Sequence, residues 1–223
     1  MKKRKKKRLL IVIICIVAVL LIVVGGFLLK MNSEQKNMAP LETGEFLPGI
    51  YAIDNGFVNM FLIKADTGYI AVDAGVDVNS VKEGLSRLGI SGDDVGAVLL
   101  THTHADHTAA LKLFDKATVF SAKQDPAYNS VTDGLILEVL GKRVQVISAT
   151  GHAGDSVCYL YEGKYLFAGD NMSLSGNNVG LFNSVYNRSD DQQREDIKKL
   201  AELSGVECII TAHYGMTDAP VFP

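Results

Sequence analysis

The sequence lacks the motifs of several common kinds of enzyme. It contains no Gly-x-Ser-x-Gly pattern, which marks many serine hydrolases, and no glycine-rich phosphate-binding loop. Beyond a basic amino-terminal tail it has no short-period repeat and no low-complexity tract. Cysteine is limited to Cys15, Cys158 and Cys208, and the last two lie in strand-like runs. We therefore expect buried free thiols rather than a disulfide.

Histidine is also scarce, with five copies, but three of them lie within six residues. His102 and His104 follow the apolar run 95–100, which predicts a buried strand. They are two residues apart, so an extended backbone directs both to the same side. Asp106 and His107 are adjacent and form a second pair. The spacing predicts two metal positions, one for each pair.

The other two histidines follow strand-like runs later in the chain. His152 lies in a Thr-Gly-His-Ala-Gly-Asp-Ser segment, and His213 follows the run 207–211. Between them the run 166–169 ends in the carboxylate Asp170. Imidazole and carboxylate groups are the usual ligands of zinc in hydrolytic sites. These positions therefore predict a metal site where the strand ends meet.

In order, the motifs His-x-His-x-Asp-His, Gly-His, Gly-Asp and a final His resemble those of the metallo-β-lactamase-fold hydrolases. An earlier segment, Val72 to Gly75, resembles the family's first motif, in which Asp73 would support the ligands from behind. The resemblance spans about residues 45–215. It implies an α/β fold, the αββα sandwich of two mixed β-sheets flanked by helices. It also implies two zinc ions, one held by His102, His104 and His152, the other by Asp106, His107 and His213, with Asp170 bridging them.

The resemblance implies a hydrolase in which a hydroxide shared by two zinc ions attacks the carbonyl of a small ester, thioester or lactone. Asp106 and Asp170 would hold and orient that hydroxide. The ligand set is most similar to that of the hydroxyacylglutathione hydrolases (glyoxalase II), although without their carboxyl-terminal helical domain. Phosphodiesterases and β-lactamases of the same superfamily are alternatives, as is a non-catalytic, metal-bearing binding module.

Charge is distributed unevenly along the chain. Residues 41–223 hold 13 Lys and Arg against 24 Asp and Glu, a net charge of −11. Such an acidic domain disfavours a polyanion such as RNA, so we expect a small-molecule substrate and no nucleic acid.

Residues 171–188 are predicted to form a substrate-facing loop that carries Leu181, Phe182 and Tyr186. Tyr214 could donate a hydrogen bond to substrate or pack at a strand end.

The amino terminus has the features of a membrane anchor. Residues 1–8 include seven consecutive cations, and the next charge after them is Lys30. Twenty-one helical residues span roughly 31 Å, about the thickness of a bilayer core. A cleaved signal peptide is the alternative, but its apolar region is normally only about 7–15 residues long. Four segments are predicted: a basic cytoplasmic tail (1–8), a transmembrane signal-anchor (9–29), a linker (30–44) and a hydrolase domain (45–223). The cationic flank stays cytoplasmic, so the domain is expected outside the cell membrane; no oligomeric state is implied.

Local patterns predict several elements around the motifs. Strands over 46–53 and 57–64 are expected to form a hairpin. A helical pattern over 108–114 follows the histidine cluster. Ser189 and Gln192 resemble a capping box that begins a helix.

Overall fold

The computed structural model describes residues 13–26 and 37–223. Residues 13–26 form helix α1, and its large apolar side chains are exposed. Across these two ranges, no helix combines the length and the apolar character needed to cross a membrane. The predicted tail at 1–8 lies outside the described residues, and the predicted span at 9–29 lies partly outside them. The membrane anchor therefore stays a prediction.

The first half of the domain forms a mixed sheet whose seven strands hydrogen-bond in chain order. The strands are β1 (Gly44–Leu47), β2 (Ile50–Asp54), β3 (Asn59–Lys64), β4 (Tyr69–Val72), β5 (Val95–Leu99), β6 (Thr118–Ser121) and β7 (Asn129–Ser130). β1 to β4 are antiparallel, and β4 to β7 are parallel.

The second half forms a mixed sheet of six strands in the order β15-β14-β11-β10-β9-β8. The strands are β8 (Ile136–Val139), β9 (Lys142–Ser148), β10 (Val157–Tyr161), β11 (Tyr165–Gly169), β14 (Cys208–Thr211) and β15 (Met216–Thr217). A separate hairpin consists of β12 (Ser173–Ser175) and β13 (Asn178–Gly180).

The two sheets enclose one apolar core. Phe61 of β3 contacts Phe167 of β11 across the core, with ring centroids 5.6 Å apart. Burying each such side chain contributes about 1.5–3 kcal/mol. A second cluster packs α2 (Val78–Leu88) against the other face of the first sheet. The remaining helices are α3 (Ala105–Thr108) and α4 (Asp190–Ala201), with 3₁₀ turns at Gly92–Asp94 and Leu111–Leu113.

This topology brings the predicted ligands to one edge of the sandwich. In the second sheet β9, β11 and β14 run in the same direction, because β9 and β11 are both antiparallel to β10 and β11 is parallel to β14. Their carboxyl ends lead to His152, Asp170 and His213. The carboxyl end of β5 leads to the histidine cluster. The two edges are joined by a hydrogen bond of 2.8 Å from the Val157 amide to the Thr101 carbonyl.

Two of the predicted elements differ in the structure. The strand predicted over 46–53 is interrupted by a tight turn at Pro48 and Gly49, and Leu47 pairs with Ile50 across it. Gly49 has φ 73°, which suits a turn with proline at its first central position. The helix predicted over 108–114 is wrong in its bounds, since α3 covers Ala105–Thr108 and only a 3₁₀ turn follows.

The cysteine prediction is confirmed, and the capping box predicted at Ser189 and Gln192 forms in part, because the Gln192 side chain donates to Asp196 instead of accepting from the Ser189 amide. The Ser189 side chain accepts a hydrogen bond from the Gln192 amide at the start of α4. Cys158 and Cys208 are buried free thiols, and Cys15 is exposed. Burial raises the pKa of both buried thiols to about 12, so they stay protonated at neutral pH.

Candidate metal centre

Three imidazoles form the first donor set. The Nδ1 atom of His104 lies 3.0 Å from Nε2 of His102 and 3.1 Å from Nε2 of His152. His102 and His152 are buried, whereas His104 is exposed. One of these residues belongs to the second half of the domain, so the set forms only when the two sheets pack together.

A second donor set lies beside the first and contains two carboxylates. The Nε2 atoms of His107 and His213 lie 3.3 Å and 3.2 Å from Oδ1 of Asp170. Asp106 Oδ2 lies 3.7 Å from His107 Nε2 and 3.5 Å from His213 Nε2. Asp106 and His107 are consecutive residues of α3, so their side chains leave the helix about 100° apart. Their donor atoms nevertheless lie within 4.8 Å of each other and of those of Asp170 and His213.

Asp170 connects the two sets through its two carboxylate oxygens. Oδ1 faces His107 and His213, while Oδ2 lies 3.4 Å from His152 Nε2 and 3.9 Å from His102 Nε2. The residue is 3% exposed. The structure therefore brings together all seven predicted ligands, namely His102, His104, Asp106, His107, His152, Asp170 and His213.

Hydrogen bonds to the outer nitrogens fix the tautomers of the second set. His107 Nδ1 donates to Asp73 Oδ2 at 2.8 Å, and His213 Nδ1 donates to the Phe57 carbonyl at 2.6 Å. A carbonyl can only accept, so the Nδ1 of His213 carries the hydrogen. The Nε2 atoms are then left to point toward Asp170. Asp73 has the supporting role that the resemblance implies.

In the first set, neutral groups hydrogen-bond to the outer nitrogens and fix the tautomers of His102 and His152. The Thr101 hydroxyl donates to Asp73 at 2.8 Å, so its oxygen accepts from His102 Nδ1 at 3.2 Å. His152 Nδ1 lies 3.2 Å from the Asn187 side-chain oxygen, which can only accept. Both histidines therefore direct an Nε2 lone pair toward His104 and Asp170.

The inward-facing atoms fit a metal ion. Within the described part of the chain, His107 Nε2, His213 Nε2 and Asp170 Oδ1 are buried and have no hydrogen-bond partner. Buried polar atoms are rarely left without a partner, because each costs about 1–3 kcal/mol. A cation at this point would satisfy all three atoms at once. The imidazole and carboxylate donors are those that zinc prefers.

Burial and neighbouring charge act in opposite directions on the second set. Burial alone lowers the pKa of His107, but Asp170 and Asp73 outweigh it and raise that pKa well above its usual value. The pKa of His213 is raised because Asp170 outweighs burial in the same way. Burial raises the pKa of Asp170, yet His213 and His107 bring it well below its usual range.

The first set behaves differently. Burial lowers the pKa of His102 well below its usual value, and the nearby His107 lowers it further. Burial also lowers the pKa of His152. Neutral imidazoles with free lone pairs are the form that binds a metal.

Asn59, at the start of β3, and a segment near the amino terminus hold the loop that carries His213. The buried Asn59 side chain accepts from the Leu41 amide at 2.7 Å and donates to the Leu41 carbonyl at 2.8 Å. The Asn59 amide donates to the Ala212 carbonyl, and the Ala39 amide donates to the His213 carbonyl, both at 2.8 Å. We call residues 39–41 the amino-terminal strap.

The segment 171–188, predicted to be a substrate-facing loop, contains the β12–β13 hairpin, and its remainder lies against the candidate metal ligands. The Phe182 ring is 4.9 Å from His152 and 5.5 Å from His213, measured between centroids. Phe182 itself is buried, as is Tyr214, whose ring lies 6.0 Å from it. Tyr214 thus packs at a strand end, one of the two roles considered for it.

Several supporting residues have no clear signal in the sequence. The Phe57 carbonyl is a backbone group, which any residue type supplies. Asn187 lies in a stretch without period, and Gln193 looks like an ordinary helical residue. Yet Gln193 is fully buried, and its amide donates to the Asp170 carbonyl at 3.1 Å and accepts from the Phe182 amide at 2.9 Å. Only Thr101, next to the first histidine, is adjacent to a recognisable motif.

The fold is that of the metallo-beta-lactamase superfamily. Residues 53–123 match the model of the metallo-beta-lactamase superfamily, a range that includes Asp73 and the histidine cluster. This chain therefore carries a metallo-beta-lactamase superfamily domain. The matched range ends before His152, Asp170 and His213, whose place in the site rests on the geometry above.

Two curated relatives show what the chain is similar to. A probable metallo-hydrolase of Methanocaldococcus jannaschii is 27% identical over 138 residues, covering 62% of this chain and 66% of the relative. An atrochrysone carboxyl ACP thioesterase of Aspergillus novofumigatus is 30% identical over 138 residues, covering 58% of this chain and 42% of the relative. The chain spans less than two thirds of the length of either one.

Solved structures agree on the fold. A metallo-beta-lactamase family protein of Thermus thermophilus superposes with a TM-score of 0.61 at 23% identity, covering 78% of this chain and 76% of that one. A subclass B3 metallo-beta-lactamase, MEM-A1, from a soil metagenome library superposes with a TM-score of 0.63 at 19% identity, covering 79% and 81%. At these identities the likeness concerns the fold alone.

Proposed function

We propose that this chain is a metal-dependent hydrolase that binds two zinc ions and cleaves a small ester, thioester or lactone. The observation that carries the proposal is the convergence of two donor sets on the single carboxylate of Asp170. Each set contains at least two imidazoles, and three atoms of the second set are buried without a partner.

The spacing of the first set supports zinc. Tetrahedral ligands at 2.0–2.1 Å from a zinc ion lie about 3.3 Å from one another. The distances from His104 Nδ1 to the other two imidazoles are 3.0 and 3.1 Å. Those from Asp170 Oδ2 to His152 and His102 are 3.4 and 3.9 Å. The four donors thus need only small shifts to surround one ion.

When bound, the zinc pair supplies an acidified water and a Lewis acid for the carbonyl oxygen. The chain's own residues supply position and proton handling. Asp170 fixes both sets relative to each other. The Asp106 side chain is 25% exposed, so its carboxylate borders both the second set and solvent. Oδ2 faces the other donors of the second set, so the carboxylate would hold the second ion through that oxygen and is placed to orient the attacking water.

Charge and similarity support a carbonyl substrate. The domain is net −11, and residues 171–188 contain one cation, Arg188. A phosphodiester is normally held by several Arg or Lys side chains. The thioesterase among the relatives adds support for a thioester. So does the ligand set, which is similar to that of the hydroxyacylglutathione hydrolases.

Metal analysis tests the first half of the proposal. We expect close to two zinc ions per purified chain, loss of activity on chelation, and recovery with added zinc. His107→Ala should weaken the second set selectively. Full activity with one metal ion or none would overturn the dinuclear mechanism.

A pair of substrates tests the reaction class. We expect a nitrophenyl acetate-type ester to be favoured over bis-nitrophenyl phosphate in kcat/KM, each relative to its uncatalysed rate. Phosphodiester turnover that is faster by an order of magnitude would place the chain among the phosphodiesterases of the superfamily.

We further propose that residues 9–29 anchor the chain in the cell membrane with the domain outside. The support is the uncharged run and the seven cations on one flank of it. Protease added to intact cells, after removal of any wall, should release the domain. Digestion only after lysis would reverse the orientation.

A further inference from the structure

Two neighbouring apolar side chains are exposed on the loop over the metal centre. Val185 is 39% exposed and Tyr186 is 44% exposed. Among the described residues from 37 onward, the other large hydrophobic side chains with comparable exposure are Leu135, Ile136 and Val221. Adjacent exposed apolar groups are informative beside a ligand site, because there they can be covered by the ligand.

Ring contacts connect this exposed pair to both donor sets. The Tyr186 ring lies 6.5 Å from the Phe182 ring. Phe182 in turn lies 4.9 Å from the His152 ring and 5.5 Å from the His213 ring. Phe182 is 4% exposed, so it packs beneath the exposed pair and connects it to both donor sets. A substrate whose carbonyl lies at the donor sets would have Val185 and Tyr186 on the same loop as this connecting ring.

The loop is held in place by hydrogen bonds, so this surface is preformed. The Tyr186 amide donates to the Asn183 carbonyl at 2.9 Å, and the Val185 amide donates to the Asn183 side chain at 3.0 Å. Through its Phe182 amide the loop is bonded to Gln193, which also donates to the Asp170 carbonyl. A preformed surface binds a ligand without first paying the entropy of ordering a loop.

We propose that Val185 and Tyr186 form an acyl-binding rim, and that the substrate is an ester or thioester with a hydrophobic acyl chain. This inference rests on the proposed hydrolase function and specifies its substrate. An anionic acyl group would meet one cation in this loop, Arg188, within a domain of net charge −11. An apolar chain is repelled by none of these groups and covers the two exposed side chains.

An acyl-chain series tests the rim on the full chain. For nitrophenyl esters from acetate to decanoate, we expect kcat/KM to rise about twofold to fourfold per added methylene until the rim is filled. Val185→Ser combined with Tyr186→Ser should reduce that factor to nearly one. Leu135→Ser, which replaces an exposed apolar side chain elsewhere, should keep the wild-type slope under the same conditions.

The outcomes distinguish failure of the acyl-binding rim from failure of the proposed hydrolase function. Hydrolysis of the acetate ester with no rise along the series, or a slope that survives the double substitution, overturns the rim and leaves the hydrolase intact. If no ester, thioester or lactone is cleaved, the proposed hydrolase fails. Calorimetric binding of alkanoates from acetate to decanoate to the zinc-loaded chain then decides the rim. Affinity that rises with length in the wild type and not in the double variant supports it, and equal affinities overturn it.

Discussion

The two donor sets differ in charge and in the groups that support them. The first set consists of three imidazoles, and its supporting groups are the Thr101 hydroxyl and the Asn187 amide, both neutral. The second set contains Asp106 and shares Asp170, and a third carboxylate, Asp73, lies behind it. Burial lowers the pKa values of His102 and His152 in the first set, whereas in the second set the carboxylate charge outweighs burial and raises those of His107 and His213.

This difference indicates two ways of attracting a dication. The first set offers neutral lone pairs whose mutual spacing already suits a metal. The second set attracts the ion through carboxylate charge in a buried environment, where screening by water is weak. Support should therefore matter more in the second set, because removing a buried charge removes part of the attraction itself.

The largest effect is expected where the two sets meet. Asp170→Ala removes a donor from both sets, so we expect metal content to fall at both and kcat/KM to drop about a thousandfold or more, equivalent to several kcal/mol of transition-state stabilisation. Elemental analysis and ester kinetics measure the two effects. Glu83→Gln, an exposed carboxylate of α2 outside the donor sets, is the control and should retain both metals. Loss from only one set would show that Asp170 is not the bridge.

Next in size is the contrast between the two supporting groups. Asp73→Asn should lower the zinc affinity of the second set by about 10–100-fold, and Asn187→Ala should lower that of the first set by about tenfold. Competition with a calibrated chelator resolves the two binding steps in each variant. Equal losses, or a larger loss for Asn187→Ala, would refute the idea that charge makes the second set more dependent on its support.

A smaller effect is expected from the strap that holds the His213 loop. Asn59→Ala leaves the Leu41 amide and carbonyl without their buried partners, so we expect a loss of about 2–3 kcal/mol in the free energy of unfolding. Urea unfolding monitored by circular dichroism measures it. Asn79→Ala, at an exposed position of α2, should change the same quantity by less than about 0.5 kcal/mol. Similar values for both variants would mean that the strap carries no stability.

The smallest effect concerns the outer support of the His152 loop. Asp133 accepts from the Ser148 amide at 2.6 Å and from Lys199 at 3.1 Å. Burial raises the pKa of Asp133, but these two groups outweigh it and lower the pKa overall. Both side chains of the Asp133–Lys199 ion pair are about half exposed, so solvent screens the pair. We therefore expect Asp133→Asn to lower the free energy of unfolding by about 0.5 kcal/mol.

The sign of its pH dependence follows from that lowered pKa. A depressed carboxyl pKa contributes stability above the unfolded-state value, roughly 3.9, and loses it as the pH falls through the folded-state value. The difference in unfolding free energy between wild type and Asp133→Asn should therefore be present at neutral pH and vanish in acid. A difference that grows on acidification would contradict this assignment.

The predicted ligands lie together in the structure because most of them follow the ends of strands, while Asp106 and His107 lie in the short helix after β5; their role as metal ligands stays a prediction. Parallel strands bring their carboxyl ends to one edge, so His152, Asp170 and His213 meet although they are far apart in the chain. The fold class is predicted from the same motif series. The carboxylate at Asp73 is likewise placed by its motif.

Tertiary contacts explain what local patterns miss. The helix predicted over 108–114 does not form as such, because the Ala109 amide is shared between the Ala105 carbonyl and the Gly75 carbonyl. The Ala74 amide also bonds to the His107 carbonyl. α3 is thus tied to the segment after β4, which no local pattern encodes. The supporting roles of Phe57 and Asn59 depend equally on a partner in the other half of the domain.

The hydrogen bond from the Ala39 amide to the His213 carbonyl has a mechanical consequence. A pull on the chain from residue 38 reaches the backbone of His213, a candidate metal ligand, through one hydrogen bond, before it loads any strand of either sheet. A pull from the carboxyl terminus first loads Val221, which bonds to Asn177 and Val179 beside the β12–β13 hairpin. The end by which the protein is tethered in a force experiment therefore determines whether the metal centre or a peripheral hairpin bears the load first.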